Sequence, residues 1–263
     1  MIAFRHMTAA AAMALVAVSG TAQAQEDDAP RRTRIGLGPQ LVPSYPGSDR
    51  VSIRPLIDVS RARGDEPFTF EAADESAGFA LWQRNGFAFG PAIGIEGSRT
   101  ARDVGAPLRK VGFTVEAGGF VQYALTPALR LRGELRQGIG GHKGLIGSVG
   151  ADYVARDGDR WLFSIGPRLT IASDRYHRAY FGVSAADAAA TGLPAFRAKG
   201  GVQAAGVTAG LVRQLGPRWG VMGYAKYDRL VRDAARSPIV RAFGSRDQLA
   251  GGLALTYTFG GGR

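Results

Sequence analysis

Residues 129–137 read Leu-Arg-Leu-Arg-Gly-Glu-Leu-Arg-Gln: odd positions are mostly apolar, and the even ones, Arg130, Arg132, Glu134 and Arg136, are all charged. A period of two places each set on its own face of a β-strand, so this segment needs an apolar medium on one side and a polar one on the other. The same alternation recurs through most of the chain. Behind an export signal, a sheet of such strands is expected to close into a membrane barrel, with the apolar face toward lipid and the charged face lining a lumen.

The export signal is expected at residues 1–24. Arg5 opens a short basic region, residues 9–18 are an apolar stretch, and Ala22-Gln23-Ala24 is an A-x-A cleavage site, which sets Gln25 as the first mature residue. The apolar stretch is too short to cross a bilayer as a helix. The chain has no cysteine. That excludes a lipid-anchored amino terminus, a disulfide framework, thiolate metal sites and a cysteine nucleophile.

About 239 residues remain after cleavage, read here as a polar leader (25–33), one barrel (34–259) and a tail (260–263). No later apolar run approaches the roughly 20 residues of a spanning helix. Mean hydropathy is close to zero, as expected where lipid-facing and lumen-facing residues cancel in any window. The strand candidates are residues 34–41, 51–60, 68–73, 77–82, 87–97, 110–124, 129–137, 145–155, 161–172, 201–213, 219–228 and 248–259; the third and fourth are short. Short turns at 83–86, 125–128, 156–160 and 214–218 alternate with longer loops at 98–109, 138–144, 173–200 and 230–247. This is the pattern of an all-β, transmembrane antiparallel β-barrel of about twelve strands, with short periplasmic turns and periplasmic N- and C-termini. Phe87, Tyr123, Trp161, Trp219, Tyr257 and Phe259 fall beside the short turns or the C-terminus, where a periplasmic aromatic girdle is expected.

Parity assigns Glu96, Glu116, Arg130, Arg132, Glu134, Arg136, Asp152, Arg168, Lys226 and Asp228 to the lumen. Pairing across the turn at 125–128 sets Tyr123 against Leu131 and Gln122 against Arg132, and leaves Glu116 diagonal to Arg136. The same treatment of the turn at 156–160 sets Tyr153 opposite Trp161 and Asp152 opposite Leu162. With both signs inside, the lumen reads as a salt-bridged interior bracing a narrow barrel, the alternative being a conducting channel. Net charge is +11, with surplus arginine in the loops expected outside, among them Arg99, Arg102, Arg175, Arg197, Arg232, Arg236 and Arg246. Such arginines suit the phosphates of lipopolysaccharide; solvated loops are the plainer alternative. No groove-reading motif or basic helix points to nucleic acid.

Several motifs follow one another in order: Gly36-Leu-Gly-Pro39, Pro43-Ser-Tyr45-Pro-Gly47-Ser48-Asp49, Pro55, Gly90-Pro91, Gly141-His142-Lys-Gly144, Tyr180-Phe181-Gly182-Val183, Tyr227-Asp-Arg229-Leu230, Asp233-Ala-Ala-Arg-Ser237-Pro238-Ile239-Val240 and Tyr257-Thr-Phe259. On these the chain resembles the MipA/OmpV family of Gram-negative outer-membrane proteins. The resemblance implies an outer-membrane β-barrel with no catalytic activity and no cofactor. It also implies partnership with a murein-degrading lytic transglycosylase and a murein synthase, a penicillin-binding protein, for which members are described as scaffolds; others are described as porin-like or adhesive. The chain departs from the usual barrel ending, because Phe259 is followed by Gly260-Gly-Gly-Arg263.

Lipid-hydrolysing barrels need a serine activated by a histidine. Only His142 and His177 lie in the mature chain; two residues beyond them stand Gly144 and Ala179, and Ser148 points to the lumen by parity. His142 reads instead as a loop-tip residue. Two separated histidines without cysteine form no metal-ligand cluster, and Asp157-Gly-Asp159 reads as a hairpin turn. In the longest loop, 184–191 favours a short helix ended by Gly192, with Tyr180, Phe181, Leu193 and Phe196 placed to fold the loop over the barrel mouth. Two function classes stay open: a scaffold for murein enzymes, and a narrow channel or uptake port.

Overall fold

The structure is a computed structural model and describes residues 29–260. The expected signal segment, most of the leader and residues 261–263 of the tail lie outside the described residues. Among the described residues the chain runs β1 (Arg31–Pro43), β2 (Val51–Arg63), β3 (Ala77–Gly78), β4 (Trp82–Arg84), β5 (Phe87–Glu96), α1 (Ala101–Val104), β6 (Thr114–Thr126), β7 (Leu129–Gly140), β8 (Leu145–Asp157), β9 (Trp161–Ala172), α2 (Asp174–Tyr180), α3 (Ala185–Thr191), β10 (Gly201–Gln214), β11 (Trp219–Leu230), α4 (Arg232–Arg236), α5 (Pro238–Phe243) and β12 (Asp247–Phe259). Every ladder is antiparallel, in the order β2-β1-β12-β11-β10-β9-β8-β7-β6-β5-β3, with β4 also on β5. The sheet curls so that β2 and the β3–β4 edge line one cavity from opposite sides.

The alternation in sequence becomes two faces of one wall. On β7, Leu131 and Leu135 stand outside while Arg130, Arg132 and Glu134 are buried inside. Leu37, Ile53, Ile95, Leu135 and Leu253 are all more than half exposed. This inverts the pattern of a water-soluble protein and leaves a continuous apolar outer surface that only lipid would cover. Among the described residues no helix is long and apolar enough to cross a membrane; the wall is made of strands.

The short turns and both described termini lie at one end of the barrel, here the turn end, and the long loops at the other, the loop end. Arg84 pairs with Phe87 across Asn85-Gly86, whose φ values of 50° and 79° match the twist-compatible two-residue hairpin. The β6–β7 register is the expected one, with Tyr123 opposite Leu131 and Gln122 opposite Arg132. The β8–β9 register differs: β8 continues to Asp157, opposite Trp161, so Tyr153 faces Ile165 rather than Trp161 and Leu162 faces Arg156 rather than Asp152. The turn tightens to Gly158-Asp-Arg160, with Gly158 at φ 50°. Because the slide is even-numbered, no side chain changes face.

Three further expectations are corrected. Arg31–Thr33, assigned to the leader, belong to β1, where they pair with Arg61–Arg63. Lys110–Phe113 are not part of β6. Residues 68–73 form no strand, and the candidate at 77–82 is reduced to Ala77–Gly78, followed by the separate Trp82–Arg84. The chain from Gly64 to Ser76 instead enters the barrel, for reasons that lie in the charges of the lumen.

Leu135 sits mid-strand on the outer face. Leu135→Arg is expected to destabilise the barrel by about 2–4 kcal/mol in lipid, whereas Ser148→Thr on the inner face is expected to change stability by less than about 1 kcal/mol. Urea titration of heat-modifiable mobility in liposomes checks both.

Candidate functional site

The lumen holds one unbroken series of alternating charges. Lys226 Nζ lies 3.2 Å from Asp228 and 3.2 Å from Asp74. Asp74 takes Arg168 Nε at 3.0 Å, Arg168 reaches Asp152 at 2.6 Å, and the second oxygen of Asp152 takes Arg130 at 2.7 Å. Arg130 also pairs with Glu75, which lies 3.6 Å from Arg132 Nε. Arg132 continues to Glu134 at 3.4 Å, Glu134 pairs with Arg136, and Arg136 Nε reaches Glu116 at 2.8 Å. Glu116 ends the series on His142 Nε2 at 3.0 Å. Nine of the ten residues that parity assigns to the lumen lie in this series. The tenth, Glu96, pairs with Arg54 at 3.6 Å.

Asp74 and Glu75 come from no strand. They ride on the inner segment, residues 64–76, which is held at each step by arginine. Arg34 and Arg32 stack on the Phe68 ring at 4.7 and 5.0 Å, and Arg156 donates to the Phe68 carbonyl at 2.9 Å. The Phe68 N–H donates to Asp159 at 2.9 Å. Arg130 lies 4.3 Å from the Phe70 ring and donates to the Phe70 carbonyl at 3.2 Å. Thr208 donates to Asp74 at 2.8 Å, and Ser76 donates to Glu134 at the same distance. An arginine lumen in a low-dielectric wall requires counter-charges, and this segment supplies them. The Phe68-Thr-Phe70 alternation is the same for a lipid-facing strand and for a coil stacked under guanidinium groups, so periodicity alone does not separate the two. The adjacent pair Asp74-Glu75 was the available signal, since neighbouring acids do not suit a half-apolar strand.

The loop end is covered by a cap with its own apolar core. Tyr45 comes from the β1–β2 loop, Val104 and Leu108 from the β5–β6 loop, Tyr176, Tyr180 and Phe181 from the β9–β10 loop, and Ile239 and Val240 from the β11–β12 loop. Ser184 and Asp187 form a reciprocal capping box on α3, with Gly192 in the left-handed conformation at its end. Ser237 Oγ, fully buried, donates to the Phe181 carbonyl at 2.8 Å. Arg99 is buried in the cap and donates 2.9 Å bonds to the Tyr180 and Arg109 carbonyls. His142 is no exposed loop tip. It is buried, packs edge-on against Tyr176 at 4.7 Å, accepts from the Gly144 N–H at 3.1 Å and engages Glu116. Gly138 leaves room for it, because a Cβ there would lie 2.2 Å from the imidazole. Neither histidine ring is hydrogen-bonded to a hydroxyl among the described residues. Among them, no group of three or more His, Cys, Asp or Glu residues is placed to hold a metal.

Phe87, Tyr123, Trp219 and Phe259 are exposed on the outer face at the turn end, and Trp161 and Tyr257 are partly exposed. Trp219, Tyr257 and Phe259 stack in series at 4.8 and 4.7 Å, and Phe87 pairs across the ladder with Tyr123.

Two outcomes are expected here. Asp74→Ala leaves Arg168 and Lys226 without their shared carboxylate and costs about 3–5 kcal/mol, the loss typical of breaking a buried pair, measurable by urea unfolding in detergent. The second concerns His177 in the cap, where burial lowers its pKa from the ordinary 6.5 against the opposing pull of the Lys199 carbonyl, Asp233 and Asp174. The closed cap therefore binds fewer protons than the opened one. His177 contributes its full stabilisation above about pH 6.5 and loses it as pH falls below that value. Amide exchange of residues 176–181 is expected to accelerate between pH 7 and pH 5, and His177→Gln is expected to flatten that dependence.

Residues 35–259 match the family model described as MltA-interacting protein MipA. No curated protein matches the chain. Among solved structures, the chain is similar to the N-terminal β-barrel domain of Pseudomonas aeruginosa OprF, at 15% identity over 67% of this chain and 100% of that one, with a TM-score of 0.27. It is also similar to the COG4313 outer membrane channel from Pseudomonas putida F1, at 10% identity over 88% and 95% of the two chains with a TM-score of 0.34. The likeness to Ail, the attachment invasion locus protein of Yersinia pestis, is 9% identity over 88% and 99%, with a TM-score of 0.23. Such scores carry no argument about the fold, which rests on the strand ladders.

Proposed function

The chain belongs to the MipA family, and on that premise we propose that it is a non-enzymatic outer-membrane barrel acting as an interaction protein. In this reading it is a scaffold that holds a lytic transglycosylase, and with it a murein synthase of the penicillin-binding class, at the inner surface of the outer membrane. The observation that carries the reading is the state of the lumen. The inner segment and its ion pairs occupy the barrel, and the loop cap lies over one mouth, so much of the space within the wall is taken up by the chain itself. A barrel filled by its own chain serves as an anchor better than as a pore. The family description, which names a protein that interacts with MltA, supports the choice of partner.

The turn end then faces the periplasm and offers its docking surface. Arg31, Arg61, Arg63, Arg84, Arg160, Arg213 and Arg218 lie there against Asp65, Glu66, Asp157 and Asp159. That surface favours an acidic partner face, with long-range attraction that weakens as salt rises. The loop end faces outward, where the cap arginines would meet lipopolysaccharide phosphates.

A channel reading draws on one feature: the inner segment is held by charges and ring stacking, with little apolar core of its own, and is therefore the separable part of the barrel. The two readings predict different currents. Purified protein is expected to be silent in planar bilayers and to co-purify a lytic transglycosylase. Deletion of residues 66–76 is expected to open a conductance that favours anions, because five cations of the ion-pair series would then face four carboxylates. Stable conductance by the intact chain, with no enzyme retained, would overturn the scaffold.

A further inference from the structure

β2 is paired to β1 along its whole length, and its other edge carries no ladder among the described residues. The facing edge, β3–β4, pairs only with β5. Both edges run from the loop end to the turn end, because each lies antiparallel to a strand that runs the other way. Free edges in a hydrocarbon layer leave backbone N–H and C=O groups unsatisfied at several kcal/mol each, so something polar must reach this seam. What lies there is a cavity of about 380 Å³, lined on one side by Val59 and Arg61 of β2, on the other by Gly78 and Phe79, and at its inner wall by Glu71 and Arg132.

The charges of this cavity set it apart from the rest of the lumen. Arg132 is already committed to Glu75 and Glu134. Glu71, on the inner segment, has neither an ion-pair nor a hydrogen-bond partner among the described residues, and the same holds for the Arg61 side chain at the seam's rim. Val59 and Phe79, half or more exposed on the outer face, present apolar surface on either side of the gap. One anion and one cation that the fold leaves unpaired and open to the cavity, together with two apolar lips, therefore share a single opening.

We propose that the seam is a lateral binding site for a zwitterionic amphiphile of the phosphoethanolamine class, taken from the surrounding lipid layer. Its ammonium group meets Glu71, its phosphate meets Arg61, and its acyl chains lie outside between Val59 and Phe79. The headgroup also brings donors and acceptors to the two free edges. A purely anionic headgroup would bring its charge to Glu71 with no ammonium to meet it, and a detached headgroup would leave the apolar lips uncovered. The proposal rests on the outer-membrane reading given above.

The test is native mass spectrometry of the full mature chain, purified in detergent after exposure to equimolar phosphatidylethanolamine and phosphatidylglycerol. Wild type is expected to retain phosphatidylethanolamine preferentially. Glu71→Gln is expected to lower that retention about tenfold, the loss of one charge-assisted hydrogen bond, without lowering phosphatidylglycerol. Arg61→Gln is expected to weaken retention of both lipids, and glycerophosphoethanolamine is expected not to displace the lipid. Retention of neither lipid, or equal retention of both by wild type and Glu71→Gln, overturns the site. Displacement by the headgroup fragment at matched concentration overturns the lateral seating. Neither side chain makes a bond in the fold, so both variants are expected to assemble. Heat-modifiable mobility in outer-membrane fractions, scored on the same proteins, tests the membrane reading separately.

Discussion

Charge pairing in a confined lumen is the constraint from which the rest of this structure follows. Transferring an unpaired guanidinium into a narrow interior costs several kcal/mol, and the inner faces of β7 and β9 alone bring in four arginines. The strands supply part of the balance: Asp152 bridges Arg130 and Arg168, and Glu134 and Glu116 serve Arg132 and Arg136. These remain separate islands until Asp74 and Glu75 join them. Asp74 connects the Lys226–Asp228 pair to Arg168, and Glu75 connects Arg130 to Arg132. The inner segment is thus the link that turns three clusters into one series, and the series continues through Glu116 to His142 in the cap.

The faces of the wall were legible in the alternation because burial on a two-sided sheet depends on parity, and parity survives an even-numbered error of register. The β8–β9 hairpin makes the point: its register slid, yet Tyr153 stayed outside and Asp152 inside. The inner segment was not legible. Phe68, Phe70 and their neighbours have strand-like spacing, and whether a phenyl ring meets a lipid chain or a guanidinium depends on groups such as Arg34 and Arg130, remote in sequence. The place of His142 is hidden in the sequence for a related reason. Glycine neighbours suggested a free turn, but Gly138 and Gly144 are small because the imidazole and Tyr176 occupy the space beside them.

The residues on which the family resemblance rests fall partly in the wall strands β1, β2, β5, β11 and β12 and partly at the loop end. Tyr45, Gly47, His142, Tyr180, Phe181, Ser237, Ile239 and Val240 all lie in or under the loop cap. Their roles are structural: Gly47, at φ 92°, donates its N–H to Gln248, and a Cβ there would lie 2.9 Å from Val240.

The wall and the plug draw on the same stretch of chain, and this explains the seam. An antiparallel barrel needs each strand to be followed by a return strand beside it. After β2 the chain spends residues 64–76 inside the lumen, so the next wall segment begins late, at Ala77, and runs in the same sense as β2. Two edges of like direction, one of them broken between Gly78 and Trp82, make no ladder with each other, and the cavity that both line stands in its place. Filling the lumen from within left the wall one full strand short. The gap opens where Glu71, on the same segment, carries a charge that the ion-pair series does not use.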